Sequence, residues 1–193
     1  MEVNVEEIRG TWNLGYSLDK HTLSSTPIGP NEYGHMQFDT IRPPAGEALY
    51  QLKYRYDFSQ VPIIANQLAT SLAGRYQGIS LVIPMPPSKL RNRQPVVEIA
   101  REFARIIGVQ CHEDLLIKTT VTPAMKDTAS RDEKVSALLN AFVVNDVLED
   151  RPHNVLIVDD LYDTGSSLEA ATQVLRSYPK VDQIFVATVT RKR

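Results

Sequence analysis

From residue 79 onwards, short apolar runs alternate with stretches in which apolar residues recur every three or four positions. The runs at 79–84, 155–158 and 184–189 are typical of strands that are buried on both faces of a sheet. The stretch 95–107 has helical spacing, and the glycine that follows it, Gly108, is a common helix end. This alternation predicts an α/β fold, a doubly wound and mostly parallel sheet with helices on both faces.

Weaker patterns lie between these elements. Residues 115–117 and 142–144 are short apolar runs that predict two further strands, and 134–139 predicts a helix. The stretch 119–130 is polar and predicts a loop. A helix that begins at Ser166 completes the pattern.

The first third of the chain is irregular and rich in aromatic residues, and we expect it to form a small hood beside the sheet. Residues 11–23 alternate well enough for a strand or two, whereas 24–34 carries prolines and glycines that predict a loop. The predicted division is a strand-rich N-terminal hood at 1–45 and a core at 46–193. Two helices are expected at 43–53 and 62–72.

The composition bounds the class of protein. The 193 residues carry a formal charge of −2, which argues against nucleic acid as the partner. No run approaches the ~20 apolar residues of a membrane span. The single cysteine, Cys111, excludes an intrachain disulfide and fits a reducing compartment. We therefore expect a cytoplasmic protein without a membrane partner.

The segment that carries the most chemistry begins with the apolar run 155–158. Two adjacent carboxylates, Asp159 and Asp160, follow at the predicted strand end, and a small hydroxyl-rich turn leads into a helix. The N–H groups and the dipole of a helix N-terminus favour phosphate, and a glycine in the turn lets the backbone approach the ligand closely. The turn residues expected to bind phosphate are Asp163, Thr164, Gly165, Ser166 and Ser167.

The paired acids require a different ligand group. Carboxylates suit sugar hydroxyls, or a Mg²⁺ ion with its waters, so a ligand with both a phosphate and a vicinal diol would use the whole segment. The alternative is an ordinary buried strand whose following helix is capped by Asp163. That alternative leaves Asp159 and Asp160 without a role, and carboxylates are rarely buried unless they have one.

A second loop, 84–93, combines stiffness with positive charge. Three prolines begin it, and three cations follow at alternate positions, Lys89, Arg91 and Arg93. A stiff turn that delivers cations suits a polyanion such as pyrophosphate, although a solvated basic helix start has the same composition. Because parallel strands bring their C-terminal loops together, we expect this loop to lie beside Asp159.

The segment 155–167 closely resembles the ribose-phosphate signature of the type I phosphoribosyltransferases, which use phosphoribosyl pyrophosphate (PRPP). A hydrophobic run, Asp-Asp, two residues, Asp-Thr-Gly, one residue and a Ser in place of the usual Thr follow in order. The resemblance implies the type I phosphoribosyltransferase fold. It also implies that Asp159 and Asp160 bind the ribose hydroxyls or a Mg²⁺ ion and that the following loop holds the 5′-phosphate.

The proline-rich loop is similar to the pyrophosphate loop of the ComF-like (competence protein F-like) subfamily. This resemblance covers about 46–190 and includes the stretches 46–54 and 115–119. The chain departs from the subfamily in three ways. Lys126 and Lys134 lie nearest to the places where the subfamily usually has a Gln and an Arg flanking a mobile loop. Gln94 and Pro95 follow the cations in place of the usual Arg-Gly-Phe-Asn-Gln, and the N-terminal cysteine zinc knuckle is missing from the sequence.

The resemblance implies transfer of the 5-phosphoribosyl group from PRPP to a nitrogen acceptor, a nucleobase or similar, with release of pyrophosphate and with Mg²⁺ as cofactor. Asp163 is the candidate proton acceptor for the incoming base, with a structural cap as the alternative. The polar stretch 119–131 resembles the mobile loop that closes over PRPP, and an ordinary solvated loop is the alternative. The implied pyrophosphate contacts are Pro86, Pro87, Ser88, Lys89, Arg91 and Lys118.

Other functions receive less support. The four histidines show no zinc-ligand spacing, and Cys111 and His112 would face opposite ways on a strand, which disfavours a nucleophile pair. The alternative function is a non-catalytic PRPP- or nucleotide-binding protein on the same fold, acting in regulation or DNA uptake. Pyrophosphate release that depends on an acceptor distinguishes the two. A homodimer is also expected, since this fold often dimerises.

Overall fold

The computed structural model describes residues 1–88, 91–119 and 130–192. Lys89 and most of the predicted mobile loop therefore lie outside the described residues. In chain order the strands are β1 (Glu6–Glu7), β2 (Leu14–Lys20), β3 (Ser24–Pro30), β4 (Met36–Ile41), β5 (Leu81–Pro84), β6 (Gln110–Cys111), β7 (Leu116–Lys118), β8 (Phe142–Val144), β9 (His153–Tyr162) and β10 (Val181–Arg191). The helices are α1 (Pro44–Tyr54), α2 (Gln60–Leu72), α3 (Pro95–Ile107), α4 (Arg131–Leu139) and α5 (Ser166–Arg176).

Six of these strands form the central sheet of the described ranges, in the order β1-β2-β10-β9-β5-β6. All neighbouring pairs are parallel except β1 and β2. Helices cover both faces: α1, α2 and α3 pack on one, and α4 and α5 pack on the other. The predicted α/β fold with a doubly wound, mostly parallel sheet is confirmed. None of the described helices is both long and apolar enough to cross a bilayer.

The surroundings of the central strand β9 explain why the four residues directly before its acids, 155–158, are all apolar. Leu156 and Val158 enter the core formed with α1, α2 and α3, whereas Val155 and Ile157 enter the core formed with α4 and α5. All four side chains are fully buried. A strand covered on both faces needs apolar residues on both, and this burial makes β9 a rigid support for the loop that follows it.

Two predicted helices have the expected starts or ends. Helix α3 spans Pro95–Ile107 and ends at Gly108, which adopts a left-handed conformation at φ 76°. Helix α5 begins at Ser166, as predicted. Both helices therefore begin beside the C-terminal edge of the sheet, where the candidate ligand-binding residues lie.

The acid pair does not follow the end of its strand. Strand β9 continues to Tyr162, so Asp159 and Asp160 lie within it. The extension exists because β10 reaches Arg191 and pairs with β9 as far as Tyr162. The predicted strand end after residue 158 is therefore wrong by several residues.

Strands β7 and β8 do not join the parallel sheet. They pair with each other in an antiparallel ribbon, with Lys118 opposite Phe142. Each has only three residues, and the Thr119 N–H extends the pairing by donating to the Ala141 carbonyl at 2.9 Å. The ribbon brings Lys118 to the C-terminal edge of the main sheet.

The N-terminal segment divides into two parts. Strands β1 and β2 belong to the central sheet, because β2 runs parallel to β10 and buries Leu18 in the core. The central sheet therefore begins within the segment predicted as hood. The loop predicted at 24–34 is wrong in part, since β3 pairs with β4 in a hairpin that is largely exposed. Prolines at positions 27 and 30 are tolerated because β3 is an edge strand.

Candidate active site

The loop that follows β5, the C-terminal part of β9 and the first turn of α5 meet at one cavity of about 270 Å³. The β5 loop is held against β9 at its start, because the Met85 N–H donates to the Val158 carbonyl at 2.8 Å. The cavity lies at the C-terminal ends of parallel strands, the usual ligand position in such sheets. The predicted site residues that line it are Pro86, Pro87, Ser88, Arg91, Lys118, Asp159, Asp160 and Ser167.

The two carboxylates have different electrostatic surroundings. The Asp160 N–H donates to Asp159 Oδ1 at 2.8 Å, and Asp160 Oδ2 lies 2.5 Å from Lys53 Nζ. Burial, and next the charge of Asp160, raise the pKa of Asp159 to about 8. Its surroundings therefore favour the protonated form of Asp159, while Asp160 lies beside an ammonium group.

The turn before α5 has the geometry of an anion-binding site. Gly165 is the N-cap residue in a left-handed conformation, φ 77°, and its carbonyl accepts from the Glu169 N–H at 2.8 Å. The hydroxyls of Thr164 and Ser166 are 2.9 Å apart, whereas Ser167 lines the cavity. The N-cap Gly165 has no side chain to cap α5, and Thr164 Oγ1 accepts from the Ser166 N–H at 3.4 Å. The N–H groups of the first turn beyond Ser166 can receive an anion from the cavity.

Comparison with solved structures places this architecture among phosphoribosyltransferases. The chain is similar to adenine phosphoribosyltransferase from Trypanosoma brucei in complex with AMP, pyrophosphate and ribose-5-phosphate, with a TM-score of 0.50, 13% identity and coverage of 97% of this chain and 74% of that one. It is also similar to the Saccharomyces cerevisiae adenine phosphoribosyltransferase (TM-score 0.47, 17% identity, coverage 88% and 84%). A third similar structure is a hypoxanthine phosphoribosyltransferase from Staphylococcus aureus (TM-score 0.42, 20% identity, coverage 69% and 66%).

The chain has the type I phosphoribosyltransferase fold. No protein-family model matches the sequence. No curated protein is significantly similar to it in sequence. The fold is therefore recognised from the structure of the chain and not from overall sequence similarity.

On this fold, Asp163 occupies a different position from the two acids of β9. Its side chain is 45% exposed, and Asp163 Oδ2 lies 2.5 Å from Lys192 Nζ. It is outside the cavity lining, and the N-cap of α5 is Gly165. The alternative in which Asp163 caps the helix is therefore wrong, because the turn places it two residues too early. Its role as proton acceptor stays a prediction.

The cations of the proline-rich loop separate in space. Arg91 lines the cavity, and its Nη1 donates to the Lys53 carbonyl at 3.2 Å. Arg93 turns away, with its guanidinium 3.8 Å from the centre of the Phe58 ring and its Nη2 3.1 Å from Glu98 Oε2. Of the two arginines, only Arg91 is positioned for a ligand in this cavity.

Lys118 reaches the cavity from the β7–β8 ribbon, on a different element from the other cation. Burial lowers its pKa. Phe142, its partner across the ribbon, contributes apolar lining beside it. Arg91 and Lys118 thus bring cations to the cavity from two separate parts of the fold.

Sequence reasoning missed Lys53. This residue lies in the last turn of α1, lines the cavity and forms the ion pair with Asp160. The stretch 46–54 was matched to the ComF-like pattern, but nothing in that match indicates an ion pair. Its partner lies on a distant strand, so only the packing of α1 against the sheet reveals the contact.

The donors in the cavity fit a Mg²⁺ ion only if a ligand supplies part of its coordination. Among the described residues, no three or more His, Cys, Asp or Glu side chains surround a common metal position. The carboxylates of the lining are Asp159 and Asp160. Magnesium in phosphate-binding sites uses one or two carboxylates, together with waters and substrate phosphates. The pair therefore fits a Mg²⁺ ion that arrives with a phosphate-bearing ligand.

Proposed function

We propose that the chain is a Mg²⁺-dependent phosphoribosyltransferase, which transfers the 5-phosphoribosyl group of PRPP to a nitrogen acceptor and releases pyrophosphate. The acceptor is a nucleobase or a similar compound. One observation carries the proposal: a single cavity is lined by a carboxylate pair, by Ser167 in the first turn of a helix and by cations on three elements. PRPP has a vicinal diol, a 5′-phosphate and a pyrophosphate, and each finds a matching group there.

The proposed ribose and phosphate contacts follow from the geometry of β9 and α5. Asp160 accepts hydrogen bonds from ribose hydroxyls, and Asp159, whose pKa is raised by burial and by the charge of Asp160, can also donate one in its protonated form. The N–H groups after Gly165 and the hydroxyl of Ser167 bind the 5′-phosphate. Together these contacts fix the ribose ring so that its C1 faces the rest of the cavity.

The proposed pyrophosphate contacts are the backbone of Pro86–Ser88 and the cations Arg91 and Lys118, joined by Lys89. When the C1–oxygen bond breaks, negative charge grows on pyrophosphate and positive charge grows on the ribose. The cations stabilise the former, and the nearby carboxylates stabilise the latter. A bound Mg²⁺ ion, held by Asp159 and Asp160 with the ligand, supplies further neutralisation of charge.

Asp163 is proposed to accept the proton that the acceptor nitrogen loses. Its carboxylate is in an ion pair with Lys192 at the edge of the cavity region, so this role requires the pair to open. We also propose membership of the ComF-like subfamily, from the loop 84–93, a cytoplasmic location and a homodimer. The hood is proposed to cover the acceptor.

A direct test is titration of PRPP with Mg²⁺ by calorimetry. We expect binding in the micromolar range that is lost in Asp159→Asn/Asp160→Asn. The matched control is Asp146→Asn/Asp150→Asn, which removes two exposed acids that lie outside the cavity lining. Absence of binding to the wild-type chain overturns the proposal.

A second function, PRPP binding without turnover, is favoured by the position of Asp163. The candidate base is paired with Lys192 and lies outside the cavity lining. Pyrophosphate release in the presence of nitrogen acceptors distinguishes the two functions. Release that depends on an acceptor supports the enzyme, whereas tight binding with no release from a panel of nucleobases supports the binding protein.

A further inference from the structure

Lys53 connects the two halves of the cavity. Its ammonium lies 2.5 Å from Asp160 Oδ2, on the ribose side, and its carbonyl oxygen accepts from Arg91 Nη1 at 3.2 Å, on the pyrophosphate side. The side chains of Lys53 and Asp160 are 22% and 14% exposed, so solvent screens the pair only partly. One residue thus contacts both predicted ligand-binding loops.

The backbone contact of Lys53 is independent of its side chain. Lys53 lies in the last turn of α1, where the final carbonyls of a helix have no partner within the helix. The guanidinium of Arg91 supplies one and is favoured by the negative end of the helix dipole. Replacement of the Lys53 side chain should therefore leave Arg91 anchored.

The ion pair between Lys53 and Asp160 has to rearrange when a ligand binds to the Asp160 carboxylate. A carboxylate that is paired with an ammonium at 2.5 Å has to share its oxygens if it is to accept sugar hydroxyls or metal-bound waters. The ammonium then needs another anion, because a partly buried charge without a partner is unfavourable. A pyrophosphate bound by Arg91 lies close to it, since Arg91 is bonded to the carbonyl of Lys53 itself.

We propose that Lys53 exchanges anions: it holds Asp160 in the absence of ligand and moves to the pyrophosphate group when PRPP binds. This inference rests on the proposed function. It assigns Lys53 as a pyrophosphate-binding residue that also keeps a lone divalent cation from the acid pair. Metal then enters with the diphosphate rather than before it.

The test uses three probes with the full chain: Mn²⁺ alone, pyrophosphate alone and pyrophosphate with Mn²⁺, each followed by calorimetry. In Lys53→Met we expect Mn²⁺ alone to bind several-fold more tightly, because Asp160 is released. Pyrophosphate should bind at least about tenfold more weakly, as the loss of a charged hydrogen bond predicts. These changes have opposite signs, which a loss of structure alone would not produce. Lys53→Arg keeps the charge and should keep pyrophosphate binding.

The matched control is Lys180→Met, which breaks a Lys–Asp pair of 2.7 Å with Asp146 away from the cavity and should change neither affinity. A second arm leaves Lys53 intact: in Asp160→Asn, pyrophosphate alone should bind at least as tightly as to the wild type. Unchanged pyrophosphate and Mn²⁺ affinities in Lys53→Met, or weaker pyrophosphate binding in Asp160→Asn, overturn this inference alone. If the wild-type chain binds neither pyrophosphate nor PRPP, both this inference and the proposed function are overturned.

Discussion

The two loops that meet at the cavity place their functional groups by different means. Within β9, the acids are fixed by strand register, and the proposed phosphate-binding N–H groups that follow are fixed by a left-handed glycine at the start of α5. After β5, the cations are long side chains whose directions depend on distant partners. Arg91 reaches the end of α1, whereas Arg93 reaches Phe58 and Glu98.

The comparison separates backbone recognition from side-chain recognition. In the β9 loop the ligand-binding groups are largely N–H groups and short side chains, so the local fold alone sets their positions. In the β5 loop three prolines stiffen the main chain, yet the arginines two residues apart end in different environments. A backbone site is therefore best tested by a change of φ, and a side-chain site by a change of charge.

The largest effect is expected from Gly165→Ala. An alanine disfavours the left-handed conformation at φ 77° by about 1–2 kcal/mol, and relaxation of this strain would shift the N–H groups at the start of α5. We expect PRPP affinity to fall by at least about tenfold, the equivalent of ~1.4 kcal/mol. Calorimetric titration of PRPP with Mg²⁺ measures it.

Gly108→Ala is the matched control for Gly165→Ala. Gly108 ends α3 at φ 76°, and an added Cβ meets nothing within 4 Å, so the same backbone strain arises away from the cavity lining. It should lower the free energy of unfolding by a similar amount and leave PRPP affinity unchanged. Equal losses of affinity in the two variants would show that the β9 loop does not bind phosphate through its backbone.

The predictable part of the site is the part that local sequence determines. The buried apolar run 155–158 and the helix start at Ser166 are both local signals, and both predictions are confirmed. The acids were predicted to lie just after the strand and next to the phosphate-binding turn. Strand β9 is longer than expected and contains them. Its length depends on pairing with β10, which a single segment does not reveal.

The part that could not be predicted depends on tertiary packing. Lys53 approaches Asp160 only because α1 packs across the sheet beside β2 and β10. The direction of Arg93 depends on Phe58, which precedes α2. Likewise, β2 joins β10 in parallel although most of the chain separates them. Periodicity predicts elements, but these neighbours follow from how the elements assemble.

Separate replacement of Arg91 and Arg93 tests whether the two arginines of the β5 loop have different roles. Arg91→Met removes a cation from the cavity and should weaken pyrophosphate binding about tenfold, from the loss of a charged hydrogen bond. Arg93→Met removes the stacking on Phe58 and the ion pair with Glu98, so we expect a loss of roughly 0.5–1 kcal/mol in stability and unchanged affinity. Calorimetry and urea unfolding measure the two quantities. Equal loss of affinity in both variants would contradict the separation of the arginines.

The last prediction concerns stability rather than affinity, namely the pH dependence that Asp159 contributes. The pKa of Asp159 is about 8 in the folded chain and ~3.9 in an unfolded one, so between these values the folded state binds more protons. Its contribution to the free energy of unfolding is therefore present below pH 4 and is lost as the pH rises towards and through 8. Relative to Asp159→Asn, the wild-type chain should lose stability from pH 5 to pH 8 in urea unfolding.

The difference between the two curves isolates Asp159, because other groups that titrate in this range, such as His21, are present in both proteins. Asp160→Asn should reduce the same slope, since the charge of Asp160 is the second cause of the raised pKa after burial. Parallel curves for the wild type and Asp159→Asn would mean that Asp159 is ionised throughout. The acid pair would then carry two negative charges beside Lys53, and a lone divalent cation would bind there more readily than the electrostatics of this site indicate.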